Sequence, residues 1–128
     1  MSTATDRAAV LKLLKARHAK ARRGHLRIAV GELFWYVDVL ADGTGPSAPL
    51  RLEVGCWTPE LPPEPEGGAV DCPLLVDVRL AGDPVGITTG LLDRVTTIGD
   101  LATLAGRLDD LPGALVDQRL RGLLRPPG

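Results

Sequence analysis

Residues 25 to 57 alternate apolar and polar side chains with a period of two, and no other feature restricts the fold of this chain as strongly. Successive side chains of a strand point to opposite faces, so an alternating segment is a strand with one buried side. Leu26, Ile28 and Val30 alternate with Arg27 and Ala29. After Gly31 and Glu32, Trp35, Val37 and Val39 alternate with Phe34, Tyr36, Asp38 and Leu40. Both faces of this second segment are largely apolar, which places it inside a sheet. Residues 41 to 47 are dense in glycine and other turn formers and read as a hairpin loop. Leu50, Leu52, Val54 and Cys56 then alternate with Arg51, Glu53, Gly55 and Trp57, the pattern of a third strand with one solvated side.

The flanks predict helices. With Thr5 as N-cap, residues 6 to about 23 lack Gly and Pro and are rich in Ala, Leu, Lys and Arg, and Gly24 is the expected stop. Val10, Leu13, Leu14 and Ala21 form an apolar stripe with His18 beside it, so this helix should lie on the sheet with its basic side outward. Residues 58 to 71 carry four prolines and three glutamates and read as an exposed loop. Leu74, Val76, Val78 and Leu80 give a fourth strand, while residues 85 to 96 are ambiguous between a short strand and an irregular crossing. A helix capped by Thr96 or Thr97 carries Leu101, Leu104, Ala105 and Leu108. A last one starts at Pro112 and runs to Arg125, followed by a frayed tail at 126–128. The 128 residues suit one domain with one core. The expected fold is α+β: an antiparallel sheet of about four strands, with an N-terminal helix and two C-terminal helices packed mainly on one face.

Charge is unevenly distributed along the chain. Residues 1 to 27 carry a formal +7 and the remainder −8, although the whole sums to only −1. Such a division points to a charged partner or to self-complementarity. The basic residues Lys12, Lys15, Lys20, Arg22, Arg23 and Arg27 are the candidate partner-binding set, all but Arg27 expected on the first helix.

Catalytic and metal-binding patterns are not recognisable in the sequence. His18 and His25, with Cys56 and Cys72, lack the close spacing of a zinc site, so no metal and no cofactor is expected. The two cysteines read as reduced, partly buried thiols. Cys56 could work with His25 only if their strands paired; otherwise it continues the apolar face of Val54. Asp38 and Asp77 fall at outward strand positions and read as solvated carboxylates in cross-strand ion pairs, such as Asp38 with Arg51.

Taken in order, the leading helix, the Trp35-Tyr36-Val37-Asp38-Val39 strand, the Trp57-Thr58-Pro59 strand end, the strand introduced by Cys72 and the IGDLATLAGRL approach to a Leu-rich helix resemble an uncharacterised family of small bacterial α+β domains related to toxin immunity proteins. The acidic, proline-rich loop departs from that pattern. The resemblance implies a non-catalytic interaction module, immunity-like or adaptor, and carries no catalytic residues with it. An acidic protein partner bound through the basic residues is the first functional expectation, and a nucleic acid bound through the same residues is the alternative. A small hydrolase or transferase without a recognisable motif is the third reading. Leu115, Leu120, Leu123 and Leu124 also leave a homodimer open. The start MSTATDRAAV has no apolar run, and no segment is suited to span a membrane, so a cytoplasmic location is expected.

Overall fold

The structure, a computed structural model, describes residues 2–125; the expected tail at 126–128 lies outside them. Six strands build one antiparallel sheet whose spatial order follows the sequence: β1 (Lys20–Arg22), β2 (His25–Val30), β3 (Leu33–Ala41), β4 (Leu50–Trp57), β5 (Leu74–Arg79) and β6 (Leu115–Val116). Four helices accompany it: α1 (Thr3–Ala16), α2 (Pro84–Val95), α3 (Leu101–Arg107) and α4 (Gln118–Leu124). The four expected strands are the four central ones, and two short strands form the edges.

Register divides the sheet into two faces. Ile28 lies opposite Trp35, Trp35 opposite Cys56 and Cys56 opposite Leu74, so these side chains share one side. With Val37, Leu52, Val54 and Val76 they meet Val10 and Leu14 of α1, Leu91, Leu92 and Val95 of α2, Leu104 of α3 and Leu120 of α4 in a single core. Burying a side chain such as Val10 or Leu14 contributes about 1.5 to 3 kcal/mol. The helix layer is therefore on one face, as the alternation predicts.

The first helix is shorter than its composition suggests. Ser2, not Thr5, caps it, its hydroxyl accepting from the Thr5 N–H at 3.2 Å. At the other end the His18 N–H bonds to the Lys15 carbonyl at 3.1 Å and the Ala19 N–H to the Leu14 carbonyl at 3.0 Å, with His18 at φ +70°. This is a Schellman stop with His18 where glycine is usual. The expected continuation to residue 23 is thus corrected: Ala19 turns into the core, and Lys20, Ala21 and Arg22 pair with β2. Arg23 and Gly24, both at positive φ, make the two-residue turn between them, which matches the right-handed twist of the flanking strands.

The stretch 85 to 96, ambiguous in the sequence, falls almost wholly in α2, which is helical because Asp83 caps the Gly86 N–H at 3.0 Å and Pro84 occupies the first turn. Asp100, rather than Thr96 or Thr97, caps α3 through the Thr103 N–H at 2.7 Å. The helix expected from Pro112 begins only at Gln118. Asp117 caps it, and the residues before it form β6, which ties to β5 with the Asp117 N–H on the Pro73 carbonyl. Of the terminal leucines, Leu120 is buried in the core, whereas Leu115 on the β6 edge is 69% exposed.

Residues 58 to 71 also differ from expectation. Much of this segment folds back over the second face of the sheet, where Tyr36, Trp57 and Ala69 form a smaller buried cluster flanked by Phe34, Cys72 and Leu75. Thr58, Pro65, Gly68 and Ala69 are buried. The apolar second face of β3, with no α-helix of the described residues over it, supplies the surface that orders a segment whose own composition would not.

Candidate ionic site on the second face

Across β1, β2 and β3 the second face carries Lys20 and Arg22, then His25 and Arg27, then Tyr36 and Asp38. Lys20 lies opposite Arg27, Arg22 opposite His25 and Arg27 opposite Tyr36, so strand pairing alone brings these groups to one side. The chain meets them with Glu64 from the folded-back segment. Arg22 binds this carboxylate in bidentate fashion, Nε to Oε1 at 2.8 Å and Nη2 to Oε2 at 2.7 Å. Arg27 Nη1 donates to Oε1 at 2.8 Å and the Tyr36 hydroxyl to the same oxygen at 3.1 Å. Arg23 lies within ion-pair distance of Glu64 at 3.9 Å and binds Glu66 Oε1 at 3.3 Å. The Arg27 guanidinium also stacks 4.2 Å above the centre of the Phe34 ring, which fixes its orientation.

The electrostatics follow from this geometry. Hydrogen bonding from Arg22 is the main cause that brings the Glu64 carboxyl from its ordinary 4.5 down to about 2; the Tyr36 hydrogen bond and the charges of Arg22 and Arg27 add to it, while burial opposes. Burial is the first cause that raises the Tyr36 phenol. Because the folded value of Glu64 is depressed, its contribution to stability is complete above pH 4.5 and is lost as the pH falls toward about 2. Urea-unfolding midpoints of the wild type and Glu64→Gln should therefore differ most above pH 4.5 and converge as the pH approaches about 2. A difference that stays constant through that window would refute this assignment.

Beside Glu64, His25 Nδ1 and Asp38 Oδ1 are 2.7 Å apart, and Asp38 Oδ2 accepts from the Ala69 N–H at 2.9 Å. Asp38 therefore holds the folded-back segment to the sheet; the expected pairing with Arg51 is corrected, because register sets Asp38 opposite Glu53. Arg51 instead binds Asp42, Glu53 and Asp77. Gly68 fits at this contact because a Cβ there would fall 2.3 Å from Asp38 Oδ2 and 2.4 Å from His25 Nδ1.

No family model, curated protein or solved structure matches the chain. The geometry of the site itself therefore carries the functional reading.

The six candidate partner-binding residues do not form one helical surface. Lys12 and Lys15 lie on α1, on the helix side of the sheet, whereas Lys20, Arg22 and Arg27 belong to the opposite face and Arg23 to the β1–β2 turn. Among the described residues Lys12, Lys15 and Lys20 make no ion pair. The placement of Lys20, Arg22 and Arg23 on the first helix is corrected for the reason given above, the stop at His18. Glu64, the residue that organises the cluster, lies in the segment read from sequence as exposed. The signal that could have found it was the uncovered aromatic face of β3.

Thiol chemistry finds little support in the geometry. Cys56 and His25 are on strands separated by β3, so they do not pair. Burial pushes the Cys56 thiol up to about 12, and burial first, then the neighbouring Cys56 and Asp38 charges, pushes Cys72 up as well. Both are free cysteines. In the native protein at pH 8, iodoacetamide should modify both thiols at least about tenfold more slowly than in urea-unfolded chain. Fast native labelling of either one would contradict the buried-thiol reading. Among the described residues no three of His, Cys, Asp and Glu converge as metal ligands would, and no helix is long and apolar enough to cross a membrane.

Proposed function

We propose that the chain is a non-catalytic interaction module, immunity-like or adaptor, that binds an acidic segment of a protein partner. Lys20, Arg22, Arg23 and Arg27 would make the contacts. The observation that carries this reading is the capture of the Glu64 carboxylate by Arg22 in bidentate geometry, with Arg27 and Tyr36 completing the shell. Planar guanidinium groups held in this way recognise carboxylates by direction as well as by charge. Lys12 and Lys15, exposed on α1, would contribute to steering an acidic partner, not to the contact itself.

The test is direct titration of labelled hexaglutamate against labelled duplex oligonucleotide, with wild type and a Lys20→Gln/Arg22→Gln/Arg23→Gln variant. Binding of the peptide that weakens with salt and is lost in the triple variant supports the proposal. Peptide binding unaffected by the three substitutions, or a duplex bound more tightly than the peptide, would overturn it.

A further inference from the structure

We infer that the segment 58 to 71 is a built-in competitor for the acidic partner, with Glu64 occupying the site that a partner carboxylate would take. The inference rests on the binding reading above and adds how that site is regulated. Four observations lead to it. Glu64 comes from a proline-rich, acidic segment of turns and bends between β4 and β5, which is itself an acidic peptide laid against a basic sheet edge. Its side chain is only 16% exposed and takes hydrogen bonds from three separate residues, so the site around it is complete and already built for a carboxylate.

The cationic side is also in excess. Arg22, Arg23 and Arg27 meet only Glu64 and Glu66 from this segment, Lys20 pairs with neither, and Glu66 is 83% exposed at its single contact with Arg23. An incoming segment with more carboxylates in a row can satisfy charges that the chain's own segment leaves open.

The segment is held by separable ties rather than by a strand ladder. Asp38 accepts from the Ala69 N–H, Arg119 Nη2 donates to the Pro62 carbonyl at 2.8 Å, and the Trp57 indole N–H donates to the Leu61 carbonyl at 2.9 Å. An open cleft of about 300 Å³ borders it, lined in part by Trp57, Leu61, Glu64 and Arg119. Displacing the Glu64 end therefore need not unpair any strand. A ligand that binds only the open form has its apparent affinity reduced by the fraction of molecules that are open, so removing the competitor should raise affinity without adding any contact.

The experiment measures hexaglutamate affinity for wild type, Glu64→Gln, and Glu64→Gln combined with the triple substitution at Lys20, Arg22 and Arg23. Expected is a gain of about tenfold or more for Glu64→Gln, abolished in the combined variant. A second readout uses the unaltered chain: the Trp57 indole N–H resonance should shift as hexaglutamate is added, because its bond to Leu61 is broken when the segment leaves. Equal affinity in wild type and Glu64→Gln, both lost with the triple substitution, would overturn the competitor and leave the binding function standing. A Trp57 resonance that stays fixed at saturating peptide would likewise overturn it. Absence of hexaglutamate binding in every variant would overturn both.

Discussion

Trp35→Ala should cost about 3 to 5 kcal/mol of folding stability, with a further contribution of about 1 to 3 kcal/mol from the carbonyl it leaves without a partner. Trp35 is fully buried at the centre of β3, between Ile28 and Cys56 in register, and its indole N–H donates to the Ile98 carbonyl at 3.0 Å. That single bond ties the middle of the sheet to the link between α2 and α3. Removing the ring opens a cavity between sheet and helices that neighbours of the size of Val and Leu cannot fill without shifting. Trp35→Phe keeps most of the volume and loses the N–H, so it should fall well short of the alanine variant. Urea unfolding followed by far-UV circular dichroism decides it: a loss below about 2 kcal/mol for Trp35→Ala would mean that the core closes over the gap.

Gly55→Val should have the opposite character, leaving the sheet intact and releasing what covers it. Gly55 sits in β4 between Tyr36 and Leu75, and a Cβ at this position would lie 2.6 Å from the Ala69 carbonyl oxygen and 2.7 Å from the Cβ and Sγ of Cys72. Its backbone is ordinary strand, which a β-branched residue favours. The nearest clashes are therefore with Ala69 of the folded-back segment and with Cys72 just after it. The expected cost is about 1 to 3 kcal/mol, with three local signs: cleavage within residues 59 to 71 by a protease, red-shifted Trp57 emission and faster alkylation of Cys72. Because Glu64 travels with the segment, hexaglutamate should also bind this variant more tightly than wild type. Unchanged proteolysis and emission would show that the segment accommodates the methyl groups in place.

Much of the fold is readable from local pattern. Alternation locates β2 to β5, because register is enforced wherever one face is buried. The edges are harder. Lys20-Ala21-Arg22 looks helical by composition, and only the hydrogen bonds around His18 end the helix early, a choice made by Ala19 reaching the core. Asp83-Pro84 is a helix start by its chemistry, yet the Val, Ile and Thr that follow favour a strand locally, and packing of Leu91, Leu92 and Val95 settles the conflict. At the candidate site, the arginines stand out in sequence as an excess of charge, but their convergence depends on the β1–β2 hairpin. Glu64 was not legible at all, since its position depends on Tyr36, Trp57 and Ala69 giving a proline-rich segment a surface to fold against.

The order of the strands has a consequence for how the protein is made. Each strand pairs with the one synthesised just before it, so the sheet can grow outward from the ribosome without waiting for distant partners. The helix layer has no such freedom. α1 is made first and packs against α2, which follows all of the first five strands. Until residues 84 to 95 emerge, Val10 and Leu14 lack part of their cover, and the nascent sheet carries an apolar face toward solvent. Completion of α2 thus begins to close that face, and Leu104 of α3 and Leu120 of α4 finish the cover as the last residues emerge.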